Sequence, residues 1–148
     1  MNKKRGPTRR PAKSSTDHVM WSLLEAARAV EAELEQALAE VQLSGAKLAA
    51  LTHLVEAGEP VSLGELAERC ACVRSNITQL VDRLEAERLV ARVDDPADRR
   101  SLLAAITPLG RERQAAGARK VHDVRRRLGK ALAGIDHVAL KRALAQLR

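Results

Sequence analysis

The stretch that decides the fold is residues 63–100, LGELAERCACVRSNITQLVDRLEAERLVARVDDPADRR. Ser62 and Glu65 have the spacing of a capping box, which predicts the start of a short helix. After a tight connection a second helix is predicted at about residues 74–88, because its apolar residues recur at intervals of three and four: Ile77, Leu80, Val81 and Leu84. Two helices joined by a short turn form a helix-turn-helix, whose second helix suits the major groove of DNA.

A small β element follows this pair of helices. Residues 89–93 and 101–106 have strand character, and the charged segment between them contains the Asp and Pro residues that favour a chain reversal. We therefore predict a two-stranded hairpin with a polar tip, which makes the motif a winged helix-turn-helix. The predicted fold class is mainly α with a small β-hairpin wing.

Helices are also predicted on both sides of the winged motif. From Thr16 to Val41 the apolar residues recur at intervals of three and four, which indicates one long helix. A second helix is expected to stop at Gly58, and a long basic helix is expected to begin with Pro at its first position. The residues predicted to cap the starts of these further helices are Ser44, Thr107 and Asp136.

Composition limits the class of protein. The 148 residues fit one compact domain plus a tail, and 45% of them are hydrophobic. One Trp and no Tyr or Phe exclude modules that stack bases on aromatic platforms. We expect no membrane segment, no secretory signal and no disulfide scaffold, and therefore a cytoplasmic location.

The net charge of +7 is distributed unevenly along the chain. Residues 1–13 hold six bases and no acid, whereas residues 14–60 are acidic and residues 111–130 are basic. Residues 1–15 are predicted to form a disordered basic tail, which is either a solubilising leader or an arm that contacts phosphates. Residues 74–100 hold six bases and six acids, so DNA binding by the winged motif must depend on the placement of individual side chains.

The predicted second helix carries polar residues away from its apolar stripe. Those opposite the stripe are Ser75, Thr78, Gln79 and Asp82, with Asn76 and Arg83 on a flank. Such side chains near a helix N-terminus can bind phosphates or base edges, and an arginine at the hairpin tip can enter a narrow minor groove. The alternative is that this face is only solvated.

Over about residues 16–148, the chain resembles the MarR family of winged-helix transcriptional regulators. The resemblance rests on ELA, on TQLVDRLE, on LVAR, on DRR in the wing and on ITPLG after it. It implies that the second helix contacts the major groove and the DNA backbone, and that Arg100 enters the minor groove with Asp98 orienting it. The candidate DNA-binding residues are Arg74, Ser75, Asn76, Thr78, Gln79, Arg83, Asp98, Arg99 and Arg100.

The resemblance also implies a homodimer formed by the first helix and the last two. Residues 16–148 are then one domain, with dimerisation helices at 16–43 and 108–148 and a DNA-binding lobe at 44–107. The acidic first helix and the basic helix after Thr107 could be complementary across the two-fold interface, or each could be a solvated face. A two-fold dimer predicts a palindromic operator in double-stranded DNA.

The expected function is that of a dimeric, sequence-specific DNA-binding repressor, released by a small-molecule or oxidative signal. The alternative is a winged-helix protein-interaction module without specific DNA binding. An enzyme is not expected, because no Ser/His/Asp set, phosphate-binding Gly-rich loop or carboxylate pair is present in the sequence.

Two kinds of signal-binding residue are considered. Cys70 and Cys72 are candidate redox sensors if neighbouring arginines lower a thiol pKa, and otherwise they pack in the helix-turn-helix as small hydrophobes. The resemblance implies a small aromatic or phenolic ligand, for which Trp21, Arg28 and His53 are the candidates. Neither a metal nor a cofactor is expected, because the four histidines lack metal-ligand spacing.

Overall fold

The computed structural model describes residues 15–98 and 101–146, with side chains from His18 onward. Six helices and three strands are found in these residues, and the mainly helical class with a small wing is confirmed. The elements are α1 (Ser15–Ala39), α2 (Gly45–Ala57), β1 (Val61–Ser62), α3 (Leu63–Arg69), α4 (Arg74–Ala86), β2 (Val90–Asp94), β3 (Leu102–Ile106), α5 (Pro108–Ala131) and α6 (His137–Ala145).

The helix starts lie where the capping residues predict them. Ser62 Oγ accepts a hydrogen bond from Glu65 N at 3.2 Å, and Ser44 and Asp136 cap α2 and α6 in the same way. Gly58 ends α2 with a φ of 72°, a conformation that costs glycine least. The predicted caps and the predicted end of α2 are confirmed. Sequence alone predicts them because a cap depends only on residues within one turn of the helix end.

Several predicted boundaries shift by one to a few residues. α1 begins at Ser15, inside the segment predicted as a tail, and it ends at Ala39 rather than at Val41. α4 ends at Ala86, because the chain takes up a left-handed conformation at Arg88, where φ is 60°. The remaining tail residues, 1–14, lie outside the described residues.

The wing contains a strand that the sequence analysis missed. β1 pairs with β3, and β3 pairs with β2, in an antiparallel sheet of order β1-β3-β2. The predicted hairpin of β2 and β3 is confirmed, and Val61, which lies opposite Ala104, adds a third strand that the prediction did not include. A strand of two residues is too short to produce an alternating pattern in the sequence.

The core is aliphatic and lies between α2, α3, α4 and the sheet. Its fully buried large side chains come from every one of these elements and from the end of α1: Leu38, Leu51, Leu54, Leu66, Ile77, Val81, Leu84, Leu89 and Val90. None of the charged or polar side chains in the described residues is buried. Ile77, Val81 and Leu84 of α4 are buried in this core, so the opposite face of the helix is turned toward solvent.

The start of α5 is joined tightly to the start of β2. The Thr107 hydroxyl donates to Arg88 O at 2.8 Å and accepts from Gly110 N at 2.9 Å. A Cβ at Gly110 would lie 2.0 Å from the Leu89 carbonyl oxygen, so only glycine allows this approach. As a result, α5 follows the wing without an intervening linker.

The chain divides into two compact units, Met1–Ala32 and Glu33–Arg148. In the described part of the first unit α1 exposes a run of large apolar side chains: Val19, Met20, Trp21, Leu23 and Leu24. The second unit contains the sheet and the other helices. None of the helices in residues 15–98 and 101–146 combines the length and apolar character needed to cross a bilayer.

Candidate nucleic-acid interface

α4 presents a polar face on the side away from the core. Ile77, Val81 and Leu84 are completely buried, which fixes the rotation of the helix about its axis. The predicted contact residues of this helix are consequently at the surface, with Thr78 half-buried and the others exposed: Arg74, Ser75, Asn76, Gln79 and Arg83. The Thr78 hydroxyl donates to Arg74 O at 3.0 Å, which leaves its oxygen able to accept a further hydrogen bond.

The N-terminus of α4 is open to an anion. Val73 is the N-cap residue, and no side chain in the described residues bonds to the first turn. The backbone N–H groups at the start of the helix lack partners within the helix, and the helix dipole adds positive potential there. This arrangement suits a phosphate group.

A charged cluster ties α4 to the wing, and the sequence analysis missed it. Arg92 on β2 forms an ion pair with Asp82 at 2.5 Å and a second ion pair with Glu85. The hydrogen bond to Asp82 raises the pKa of the Arg92 guanidinium, and Glu85 adds to this effect. We call Asp82, Glu85 and Arg92 the wing clamp, because the cluster fixes α4 against β2.

Asp82 is exposed on α4, as its predicted place opposite the apolar stripe requires. The prediction did not include the pairing of its carboxylate with Arg92 of the wing. The two acids stand three residues apart, a spacing that places both on one side of a helix. That spacing is the signal that could have indicated a basic partner, but nothing in the sequence selects Arg92.

Backbone hydrogen bonds join the described residues on the two sides of the wing tip. Asp95 N donates to Ser101 O at 3.2 Å, and Ser101 N donates to Asp98 O at 2.9 Å. Ala97 N donates to the Asp95 carboxylate at 2.8 Å, which forms a turn. Arg99 and Arg100 lie outside the described residues, so their predicted DNA contacts and the predicted partnership of Asp98 with Arg100 stay predictions.

Three arginines around this surface are available to an external anion. Arg69 is paired with Glu65 at 2.7 Å, and Arg92 belongs to the wing clamp. In the described residues from α3 to β3, the arginines without an ion pair are Arg74 and Arg83 on α4 and Arg88 in the loop that follows it. Phosphate contacts require such uncommitted cations.

The two cysteines lie beside the polar face of α4. Cys70 and Cys72 are free thiols, partly buried, and both line a cavity of about 320 Å³ together with Asn76, Gln79 and Arg83. Burial raises the pKa of the Cys70 thiol, and Cys72 raises that pKa further. This shift is opposite to the one that a thiolate redox sensor requires.

The predicted ligand residues lie in two different units of the chain. Trp21 and Arg28 are exposed on α1, within the first unit. His53 lies on α2 in the second unit, with its Nδ1 atom 3.4 Å from a Glu56 carboxylate oxygen. In residues 18–98 and 101–146, no three His, Cys, Asp or Glu side chains are grouped in a way that could hold a metal ion.

A cavity between α2 and α5 offers a different ligand site. Its volume is about 370 Å³, and Gln114 Nε2 donates across it to Thr52 Oγ1 at 3.2 Å. Its lining includes the apolar residues Leu48 and Val121, His122, and the cation of Arg125. The sequence pattern does not reveal this cavity, because its residues come from two helices that only tertiary packing brings together.

The acidic and basic helices form ion pairs within one chain. Glu33 pairs with Arg127 at 2.6 Å, and Glu40 pairs with Lys120. These two pairs connect the end of α1 to α5 of the same chain. Complementarity of the two helices across a dimer interface stays a prediction.

Comparisons with known proteins agree with this geometry. Residues 41–101 match the model of the MarR family. The HTH-type transcriptional repressor NicR of Pseudomonas putida KT2440 is 31% identical over 114 residues, which cover 74% of this chain and 72% of NicR. The chain belongs to the MarR family.

The chain is also similar to two other bacterial proteins. YsmB of Bacillus subtilis, an uncharacterised HTH-type transcriptional regulator, is 32% identical over 89 residues, and the match spans 60% of each chain. The solved structure of the transcriptional repressor CouR bound to a 23-mer DNA duplex matches with a TM-score of 0.74. The sequence identity is 26%, and the match covers 92% of this chain and 99% of CouR. CouR is from Rhodococcus jostii RHA1. YsmB and NicR are both named as transcriptional regulators, and the match covers less than two thirds of the length of YsmB.

Proposed function

We propose that this MarR-family regulator is a homodimeric repressor that binds a palindromic operator in double-stranded DNA. The observation that carries the proposal is the exposed polar face of α4, held to the wing by the wing clamp. A reading helix must be rigid to place side chains on base edges, and the wing clamp supplies that rigidity. The structure of CouR with a DNA duplex supports the same use of this fold.

Within the proposal the residues divide by role. Ser75, Asn76, Thr78 and Gln79 read base edges or bind nearby phosphates from the first turns of α4. Arg74 and Arg83 bind the DNA backbone, because neither has an ion-pair partner among the described residues. Arg100 enters the minor groove with Asp98 orienting it, and Arg99 adds a second cation at the same tip.

The proposed dimer covers apolar surface that a single chain leaves exposed. Trp21 and Leu24 on α1 are 49% and 41% exposed, and Val138 on α6 is 67% exposed. Residues 16–43 and 108–148 would supply the dimerisation helices, and residues 44–107 the DNA-binding lobe. Two reading helices related by a two-fold axis then require half-sites about one helical turn, or about 34–36 Å, apart.

The proposed signal is a small aromatic or phenolic anion in the cavity between α2 and α5. Arg125 supplies a cation, His122 supplies a polar ring nitrogen, and Leu48 and Val121 supply apolar walls. CouR has been solved with p-coumaroyl-CoA, an aromatic acyl thioester. We prefer this cavity to the set of Trp21, Arg28 and His53, because its lining residues lie in one unit of the fold.

The test is binding of the purified chain to DNA from around its own gene, against scrambled DNA, over a series of salt concentrations. A preference of about 1000-fold or more supports a specific regulator, and the salt slope then counts phosphate contacts. Deletion of residues 2–13 should flatten that slope with little loss of preference. If that preference collapses instead, the basic tail reads the minor groove.

The alternative function gives a different result in the same experiment. A protein-interaction module would bind DNA weakly and without sequence preference, and that binding would disappear with the deletion of residues 2–13. The full-length chain would then form a stable complex with another protein. This outcome would overturn the proposal of a repressor.

A further inference from the structure

The turn between α3 and α4 brings together the only two cysteines of the chain. Cys70 is the C-cap residue of α3, and Cys72 lies two residues later. Both side chains line the cavity of about 320 Å³ beside α4. A cavity of roughly 150 Å³ is sufficient to hold a benzene molecule, so an aromatic substituent also fits.

The backbone of this turn explains why both thiols face one cavity. Cys72 N donates to Ala67 O at 3.0 Å, Ala71 N donates to Glu68 O at 3.0 Å, and Ala71 has a φ of 50°. These are the two hydrogen bonds and the left-handed residue of a Schellman motif. The left-handed residue reverses the chain between the cysteines, so that their side chains share a wall.

A disulfide is not the natural product at this turn. Cysteines one residue apart do not easily reach the geometry of a relaxed disulfide. A single atom inserted between the sulfurs lengthens the bridge and removes this constraint. The ligand best suited to the site is therefore one that binds two sulfurs through one soft atom.

We propose that Cys70 and Cys72 form a dithiol site for trivalent arsenicals, and that its occupation weakens DNA binding. In the step, an arsenic(III) oxide R–As=O condenses with both thiols. Two As–S bonds form, the As–O bonds break, and the two thiol protons leave with the oxygen as one water molecule. Arsenic stays trivalent and neither sulfur is oxidised, so no oxidant or reductant is needed.

The link to DNA binding rests on the proposed function. Asn76, Gln79 and Arg83, which are proposed to contact DNA, line the same cavity as the thiols. An arsenical bridge would occupy this space and reshape the turn that precedes α4.

The experiment treats the full-length reduced chain with phenylarsine oxide and measures intact mass and binding to the DNA described above. We expect one adduct per chain, with the mass of phenylarsine oxide less one water. We also expect the adduct to survive excess glutathione, a monothiol, and to be removed by a small dithiol. Affinity for the DNA should fall by about tenfold or more and return after the dithiol treatment.

Cys70→Ser and Cys72→Ser are matched controls, because each leaves a single thiol in the chain. Neither variant should keep the adduct in glutathione, and neither should lose DNA affinity on treatment. Alanine replaces serine at either position if the serine variant fails to fold. Two adducts per chain, or equal retention by a single-thiol variant, would overturn the dithiol site.

The mass measurement is independent of DNA binding. If the chain binds no specific DNA, the proposed repressor function fails while the mass result still decides the dithiol site. A stable bridged adduct that leaves specific DNA affinity unchanged would overturn the regulatory part of the inference.

Discussion

Gly110, in the first turn of α5, lies against the backbone of Leu89. A Cβ there would lie 2.0 Å from the Leu89 carbonyl oxygen, which cannot move without disturbing the start of β2. We expect Gly110→Ala to lower the free energy of unfolding by about 3 kcal/mol. The change is measured by urea denaturation followed by circular dichroism.

Gly129 provides the matched control on the same helix. A Cβ at Gly129 meets no atom within 4 Å, so alanine adds helix propensity without a clash. Gly129→Ala should raise the free energy of unfolding by roughly 0.5–1 kcal/mol. Equal losses in the two variants would contradict the role assigned to the close approach at Gly110.

Arg100 is the residue for which the proposed DNA complex makes the sharpest single prediction. An arginine in a narrow minor groove gains from the negative potential there. Arg100→Ala should therefore weaken operator binding by about tenfold or more while the dimer stays intact. Fluorescence anisotropy gives the affinity, and Arg119→Ala on the exposed surface of α5 is the control. Unchanged affinity would refute the assignment of Arg100 to the minor groove.

At the scale of elements, the wing clamp matters more for DNA binding than for stability. Its carboxylates are about half exposed, and such ion pairs contribute little to folding. Arg92→Met should cost about 1 kcal/mol or less in unfolding free energy. It should weaken operator binding about tenfold, because the exposed side of α4 loses its polar contacts with β2 while the core packing stays.

The control for the wing clamp is Arg69→Met. It removes another exposed ion pair, that of Arg69 with Glu65, without touching the wing. Its stability should change as little as that of Arg92→Met, and its operator affinity should stay close to that of the parent chain. Similar affinity losses in both variants would argue against the wing clamp.

The turn between α3 and α4 stores backbone strain at Ala71. An L-residue with a Cβ is disfavoured at its φ of 50°, whereas glycine is not. Ala71→Gly should stabilise the fold by about 1 kcal/mol, and Gly58→Ala, at a φ of 72°, should destabilise it by a similar amount. Thermal denaturation of both variants measures the direction of each change in stability. Shifts of the melting temperature in the same direction would show that φ does not decide whether the substitution stabilises the fold.

At the scale of the whole molecule, the exposed apolar residues of α1 are the expected dimer contacts. Replacing Trp21 and Leu24 together by Glu should give a helical monomer that no longer binds the operator tightly, because a charge cannot be buried unpaired. Sedimentation velocity measures the change. Ser22→Glu, on the same helix, is the control and should remain dimeric.

Local and long-range features of this molecule differ in how well the sequence predicts them. The sequence predicts Ser62 and Thr107 as helix caps because a cap acts within one turn. It also predicts the outward face of α4, because the apolar residues of that helix are regularly spaced. Val61 in β1 and Arg92 in the wing clamp were missed, because their partners are distant in sequence. Periodicity cannot reveal contacts that exist only after helices and strands have packed.

The tight junction at Thr107 makes α5 a lever. Its 24 residues extend about 36 Å, and one end is bonded to the base of the wing while the other half borders the cavity at His122 and Arg125. Thr107 lies fifteen residues, or about 22 Å of helix, from His122, so a tilt of about 5° displaces the wing end by about 2 Å. A ligand that tilts this helix by a few degrees would therefore displace the wing by more than half of the spacing of successive base pairs, about 3.4 Å.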